Sequence, residues 1–269
     1  MARSERTMEI LEAVRAIREE DPGIGGYKLW LMTSSLFREG WHPGRDKFFE
    51  LLRDNKLMLP PPRPRHTTNS NHRFHKYKNL IKDMVLVRPN QLWVSDITYI
   101  ELEKGCCYLH LVTDAYSHMV VGWVLADTLQ AKHSVHALEM AIRGTGKTDL
   151  TGLTHHSDRG VQYCCNDYVA KLKEHHIMIS MTEDYKPTDN AIAERVNGII
   201  KQEMIYREMH FRTLTEARKR IARFIEFYNN DRPHMSIEMK TPVQIYTGNL
   251  NNISPWRKNF EQSMLFSRY

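Results

Sequence analysis

The chain has 269 residues, 41% hydrophobic and 26% charged, an ordinary composition that allows a packed core. No apolar run approaches the roughly 20 residues needed to cross a bilayer, and the opening MARSERTMEILEAVRAIREE lacks the apolar stretch of a signal peptide, so a cytoplasmic location without membrane contact is expected. The formal net charge of +6 is placed unevenly: residues 1–90 carry 17 Lys and Arg against 11 Asp and Glu, whereas 91–269 carry 21 of each.

Apolar Met8, Ile10, Leu11, Val14 and Ile17 recur at helical spacing over 4–20, and Pro22 with Gly23, Gly25 and Gly26 ends that helix. A second helix is expected over 27–38 and a third from about Pro43 to Asn55. Three short helices joined by tight turns, the last carrying Arg45, Lys47 and Arg53, predict a small all-α, helix-turn-helix-like DNA-binding domain over 1–56. Residues 57–84 read as a linker. Four prolines in 60–64 favour an extended chain, and 57–82 holds Arg63, Arg65, Arg73, Lys76, Lys78 and Lys82 with no acidic residue. Such a run suits a polyanion, and the first five of these cations are candidate DNA contacts.

The texture changes at residue 91. QLWVSDITYIEL, CCYLHLVTDAY and HMVVGWVLAD are β-rich and separated by turn signals at Lys104–Gly105 and Tyr116–Ser117, which predicts three antiparallel strands. A helix over 131–143, a short strand ending in THHSD, a helix over 167–176, a fifth strand at 177–181, and helices over 190–206 and 214–229 follow. The order β-β-β-α-β-α-β-α predicts an α/β fold, a ribonuclease-H-like mixed five-stranded sheet flanked by helices, over 85–248. The tail, 249–269, offers only Trp256 as an anchor. The cysteines form two adjacent pairs, Cys106–Cys107 and Cys164–Cys165, which is not zinc-site spacing, so burial as free thiols is expected.

Three carboxylates carry the chemistry. Asp96 interrupts an otherwise apolar strand, where a charge is costly unless paired or bound to metal. Asp158 follows the fourth strand, which in this order neighbours the first, and Glu194 opens a helix that can pack against the same edge. Converging carboxylates repel one another unless a cation neutralises them, and oxygen ligands suit Mg²⁺ or Mn²⁺. Two such ions roughly 4 Å apart support in-line phosphodiester displacement.

Thirty-five residues separate Asp158 from Glu194, and the words LWVSDITYI, LVTDAYSHMVVGW, THHSDRGVQY, PTDNAIAERVNGIIKQEM and FYNNDRPHMSIEMKTPVQIY stand in that order. Over about 85–250 the chain resembles the retroviral-integrase catalytic core superfamily, in particular the insertion-sequence transposases. GIGGYKLWLMTSSL resembles the helix-turn-helix-like segment of the second-frame protein of two-frame elements. The resemblance implies a DNA transposase, a polynucleotidyl transferase with Asp96, Asp158 and Glu194 as its metal-binding D-D-E triad. It implies cleavage at element ends and strand transfer of the 3′-OH into DNA. It further implies nucleoid association, a homo-oligomer on DNA, and a separately encoded or frameshift-fused partner bearing a helix-turn-helix and leucine zipper. Lys201, two helical turns after Glu194, matches a family position that contacts DNA, and Asn190 and Asn197 flank the glutamate. Arg232 and His234, in YNNDRPH, are expected either to contact DNA or to serve as local scaffolding. Asp114 also matches a family position and reads as structural. Two other activities share these residues, a nuclease of the same fold without strand transfer and a non-catalytic DNA-binding regulator.

Overall fold

A computed structural model describes residues 3–38, 40–59, 75–183, 191–207, 211–252 and 254–266. The β-rich segments become β1 (Leu92–Glu101), β2 (Cys106–Asp114) and β3 (Val120–Ala126), with β4 (Thr154–Ser157) and β5 (Met178–Met181) arriving later in the chain. Their order in the sheet is β3-β2-β1-β4-β5, antiparallel from β3 to β1 and parallel from β1 to β5. The expected mixed five-stranded sheet is thus present, with β1 and β4 adjacent. Gly105, at φ +86°, makes the β1–β2 turn where a side chain would be strained.

Strand alternation distributes the core between two faces. On one face Ile100, Cys107, Leu109 and Leu111 pack against α7 (Ala191–Ile199) and α8 (Leu214–Asn230), through Val196, Ile221, Phe224 and Tyr228. On the other, Trp93 and Val112 pack against α4 (Ala131–Thr145), α5 (Val161–Cys164) and α6 (Asn166–Glu174). Even-numbered residues of β1 therefore look toward α7 and odd-numbered ones toward α6. Thr213 caps α8 by accepting a hydrogen bond from the Glu216 amide.

The N-terminal helices are α1 (Arg3–Glu20), α2 (Gly26–Leu36) and α3 (Arg45–Asp54), close to the expected spans. Their shared core of Ile10, Val14, Ile17, Leu29, Phe48 and Leu52 also takes in Phe227 of α8. The C-terminal tail is not featureless. After the short α9 (Pro242–Thr247), α10 (Pro255–Phe266) lays Trp256 edge-on to Phe227 and packs Phe260 into the same core, while Arg257 bonds the Ser35 hydroxyl and carbonyl. Trp256 is an anchor in a helix that composition did not announce.

A second difference concerns the end of the expected linker. Residues 75–86 follow the outer edge of the sheet: the Met181 amide donates to the Lys78 carbonyl, the Leu80 amide to Ser180 Oγ and the Asn79 amide to Glu183, and Lys82 pairs with Glu183 at 2.8 Å. Ile81, Met84 and Leu86 pack near Leu92 and Val94. An open strand edge carries unpaired amides and carbonyls, and this stretch satisfies part of it.

The four cysteines are free thiols; Cys107 and Cys164 are buried as expected, whereas Cys106 is exposed and Cys165 half-buried. Among the described residues no helix is long and apolar enough to cross a membrane.

Candidate active site

Parallel pairing of β1 with β4 ends on the rung Ser95↔Ser157, so Asp96 and Asp158 follow on the next positions of neighbouring strands. Asp96 lies on the α7 side of the sheet. Its Oδ1 accepts from the Ile97 amide at 2.8 Å and its Oδ2 from the side-chain amide of Asn197. Burial, reinforced by the negative charge of Asp158, pushes the Asp96 carboxyl up to about 7. The hydrogen bonds from Ile97 and Asn197 and the positive charge of Lys201 pull the other way without prevailing.

Asp158 is fixed by a tight local loop. Its Oδ1 accepts the Gly160 amide at 2.8 Å. A Cβ on Gly160 would stand 2.9 Å from that same oxygen, so a side chain there would have to displace the Asp158 carboxylate.

Glu194 and Asn197 stand at i and i+3 of α7, which packs on β1, and Lys201 continues their stripe in the π-helical turn that follows. Asn197 bonds Asp96 and the charge of Lys201 acts on it, so this stripe faces the aspartates. Glu194, a turn nearer the start of the helix, is exposed, and partial burial raises its carboxyl above the usual range. Among the described residues no three His, Cys, Asp or Glu side chains stand close enough to hold a metal together. The structure therefore gathers two of the three expected carboxylates and leaves Glu194 exposed on α7.

Below the aspartates lies a polar layer that sequence patterning did not single out. His155 Nε2 meets Ser95 Oγ at 2.7 Å and the Tyr168 hydroxyl at 2.9 Å, and His156 Nδ1 meets Ser180 Oγ at 2.8 Å. Burial, then the neighbouring His156, drives His155 down to about 3, so it stays neutral and joins β1 to β4 next to their aspartates. The available signal was a run of polar residues, Ser95 and His155–Ser157, where buried strands are usually apolar.

The other candidates separate clearly. Lys76 and Lys78 are exposed at the β5 edge. Asn190, Arg63, Arg65 and Arg73 lie outside the described residues. Asp114 is buried and accepts bonds from the Asn90 and Ser117 amides and the Ser117 hydroxyl, the work of a turn organiser.

Arg232 and His234 do not face the surface. Arg232 is 2% exposed, donates through Nε and Nη2 to both oxygens of Glu203 at 2.7 Å, and lies 3.3 Å from Asp21. His234, held neutral by burial and by Arg232, accepts from the guanidinium and packs edge-on to Tyr228. Both side chains are thus buried and engaged within the protein. Glu203 sits in a π-helical continuation of α7 (Ile200–Ile205), against which Gly23 packs so tightly that a Cβ would fall 2.1 Å from the Glu203 Cα. Asp21 and Glu203 thus tie the end of α1 to the helix that carries Lys201.

A five-stranded sheet in this order, with one aspartate on β1, another directly after the adjacent β4 and a helix packed on β1, defines an integrase-type core. Residues 87–187 and 175–242 match two family models, each described as an integrase core domain. The transposase assigned to insertion sequence element IS986/IS6110 of Mycobacterium tuberculosis is 30% identical over 248 residues, covering 89% of this chain and 87% of the relative. The 31 kDa protein of insertion element IS600 of Shigella sonnei is 33% identical over 215 residues, covering 79% of this chain and 78% of the relative. The simian T-cell lymphotropic virus intasome in complex with PP2A regulatory subunit B56 gamma shares the fold, with a TM-score of 0.51 at 18% identity over 86% of this chain and 74% of that one. The chain belongs to the insertion-sequence transposases with an integrase core domain. It is accordingly a DNA transposase, an enzyme of the polynucleotidyl transferase class.

Proposed function

We propose that the chain cleaves DNA at the ends of its insertion sequence and transfers the exposed 3′-OH into target DNA, with Asp96, Asp158 and Glu194 as metal ligands. The observation that carries this reading is the pair Asp96–Asp158 on adjacent strands, where burial and mutual repulsion raise Asp96 to about 7. Hard, like-charged oxygen donors in such a place suit Mg²⁺ or Mn²⁺, so the residues fit the cofactor. Asp96 and Asp158 would form the floor of the site and Glu194 would reach it from α7. When bound, the metal supplies charge neutralisation and a more acidic attacking oxygen.

The chain's own groups do the rest. Asn197 holds Asp96 through Oδ2 and fixes the direction of the remaining lone pairs. Lys201, on the same stripe, offers a cation beside the carboxylates for a DNA phosphate. No protein nucleophile is needed, since water and then the DNA hydroxyl attack. The N-terminal helices, the segment containing Arg63, Arg65 and Arg73, and the exposed Lys76 and Lys78 would bind the DNA backbone. Assembly is read as a homo-oligomer on DNA, with an upstream-frame partner supplying a further recognition domain.

The test incubates the chain, with and without that partner, on labelled element-end DNA in Mg²⁺. Nicking that exposes a 3′-OH, followed by joined products, is expected. Nicking without joining would leave a nuclease, and DNA binding without nicking a regulator.

A further inference from the structure

The helix that carries Glu194 and Asn197 changes form where it meets the N-terminal helices. From Ile200 to Ile205 it is π-helical, and the Tyr206 amide donates to the Lys201 carbonyl, five residues back, at 2.8 Å. Such turns are rare and recur at functional sites. Two sets of contacts hold this one. Ile200 and Met204 are buried in the core between the sheet and α8. Glu203 is gripped from the other side: Arg232 takes both of its oxygens at 2.7 Å, and Lys28, in the first turn of α2, brings its Nζ to 3.5 Å. Gly23 lies against the Glu203 backbone, where a Cβ would stand 2.6 Å from the carbonyl oxygen. Gly23 and Lys28 both belong to the N-terminal part of the chain, so that part holds the turn directly.

The geometry of the turn links this grip to the active centre. Each residue of an α-helix advances by about 100°, and bonding five residues back widens the turn, so that each advances by less. Lys201 follows Asn197 by four residues. A plain α-helix would carry it about 40° past the stripe, and widening from Ile200 onward brings it back toward that line. Glu203, two residues later, falls on the opposite side. One face of the turn thus continues the stripe on which Asn197 bonds Asp96, and the other is clasped by the N-terminal helices.

We propose that Glu203 is a positioning residue: gripped by Arg232 and Lys28, it keeps the π-helical register that aims Lys201 along the carboxylate stripe, so that the N-terminal helices set the direction of a cation meeting DNA at the active centre. This rests on the reading of Lys201 as a phosphate contact. When Glu203 is released, the segment returns to ordinary α-helical bonding and the lysine swings off the stripe. The loss is then that of one phosphate contact, and it requires Lys201 to be present.

The experiment measures the Kd of the full-length protein for labelled element-end DNA in EDTA, where DNA is bound and not cut, over a range of salt. It compares the parent, Glu203→Gln, Lys28→Met and Lys201→Ala, and each of the first two variants combined with Lys201→Ala, with urea denaturation as the check on folding. Glu203→Gln removes a negative charge, which by itself would tighten binding to a polyanion. It should instead weaken binding about fivefold and lower the log–log salt slope by roughly 0.9, as Lys201→Ala does, with no further loss in the combined variant. Lys28→Met leaves the Arg232–Glu203 pair in place and should weaken binding about two- to threefold, again only when Lys201 is present. It decides the matter where Glu203→Gln does not fold. Parental or tighter binding by the folded variants overturns the proposal, and so does an equal loss with and without Lys201, which would make Glu203 a plain anchor. If Lys201→Ala itself binds as the parent does, the phosphate reading of Lys201 fails first and takes this one with it, while the carboxylate reading stands.

Discussion

Two places in this protein bring a pair of carboxylates together away from bulk water, and they are opposite in design. At Asp21 and Glu203 the fold supplies its own cations: Arg232 reaches both side chains and Lys28 lies 3.5 Å from Glu203. Although burial opposes it, Arg232 holds Glu203 below the usual range, while burial and Glu203 push Asp21 well above it. At Asp96, set against Asp158, the protein offers one side-chain amide, one backbone N–H and the field of Lys201 in the π-helical turn after α7, and the carboxyl still rises to about 7. Carboxylates neutralised from within act as scaffold. Both pairs hold a carboxyl whose charge burial disfavours, but Asp21 has the Arg232 guanidinium at 3.3 Å whereas Asp96 is met by amide donors, and that difference separates the catalytic candidate from the ionic cluster.

The largest effect expected from this contrast is on chemistry. Asp96→Asn, Asp158→Asn and Glu194→Gln should each lower end cleavage by about a thousandfold or more, the loss of several kcal/mol of transition-state stabilisation, with folding intact. Substantial Mg²⁺-dependent cleavage by any one purified variant would remove that residue from the triad. At the other pair the loss should fall on folding instead. Arg232→Ala strands two buried carboxylates and should cost about 3–5 kcal/mol in urea denaturation. An Arg232→Ala protein as stable as the parent but poor in DNA binding would reverse the scaffold assignment.

A smaller effect concerns pH, measured in EDTA. Since the folded-state value of Asp96 lies above its ordinary 3.8, the folded chain keeps a proton that the unfolded chain has already released. The contribution is full below about pH 4 and is lost as pH rises toward 7. Asp96→Asn should remove that share of the slope and stabilise the protein above pH 7, by up to about 4 kcal/mol if the whole rise is relieved. Asp231, raised to about 7 by burial, keeps its own share in both proteins. Equal pH–stability curves for parent and variant would contradict the strain assigned to the site.

The smallest effect tests the basic segment beside the sheet. Neutralising Lys76 and Lys78 should leave stability unchanged and flatten the salt dependence of DNA binding, by roughly 0.9 in log–log slope for each phosphate no longer neutralised. An unchanged slope would make this stretch an edge cover and nothing more.

Much of this architecture was legible in the amino-acid order. Period-two and helical patterns located the five strands, the main helices and the turn at Gly105, because those signals live within a few residues. Asp96 was conspicuous in an apolar strand, and Asp158 became its neighbour once the strand order was known. Other features left no local trace. The Arg232 guanidinium, the Asp21–Glu203 pair and the Arg257–Ser35 contact, 222 residues apart, exist only when distant segments meet. For Arg232 and His234 the sequence left DNA contact and scaffolding both open, since nothing local shows that Asp21 and the π-helical turn enclose Arg232. The same holds for the helix in the tail and for residues 75–86 at the sheet edge, where polar, proline-flanked composition reads as a spacer until an open strand supplies its partners. Local periodicity and the chemistry of single residues determined the elements and the two aspartates. Whether a charge is neutralised or left exposed depended on its neighbours in space, because burial and Coulomb energy are set by distance in the fold and not by separation along the chain.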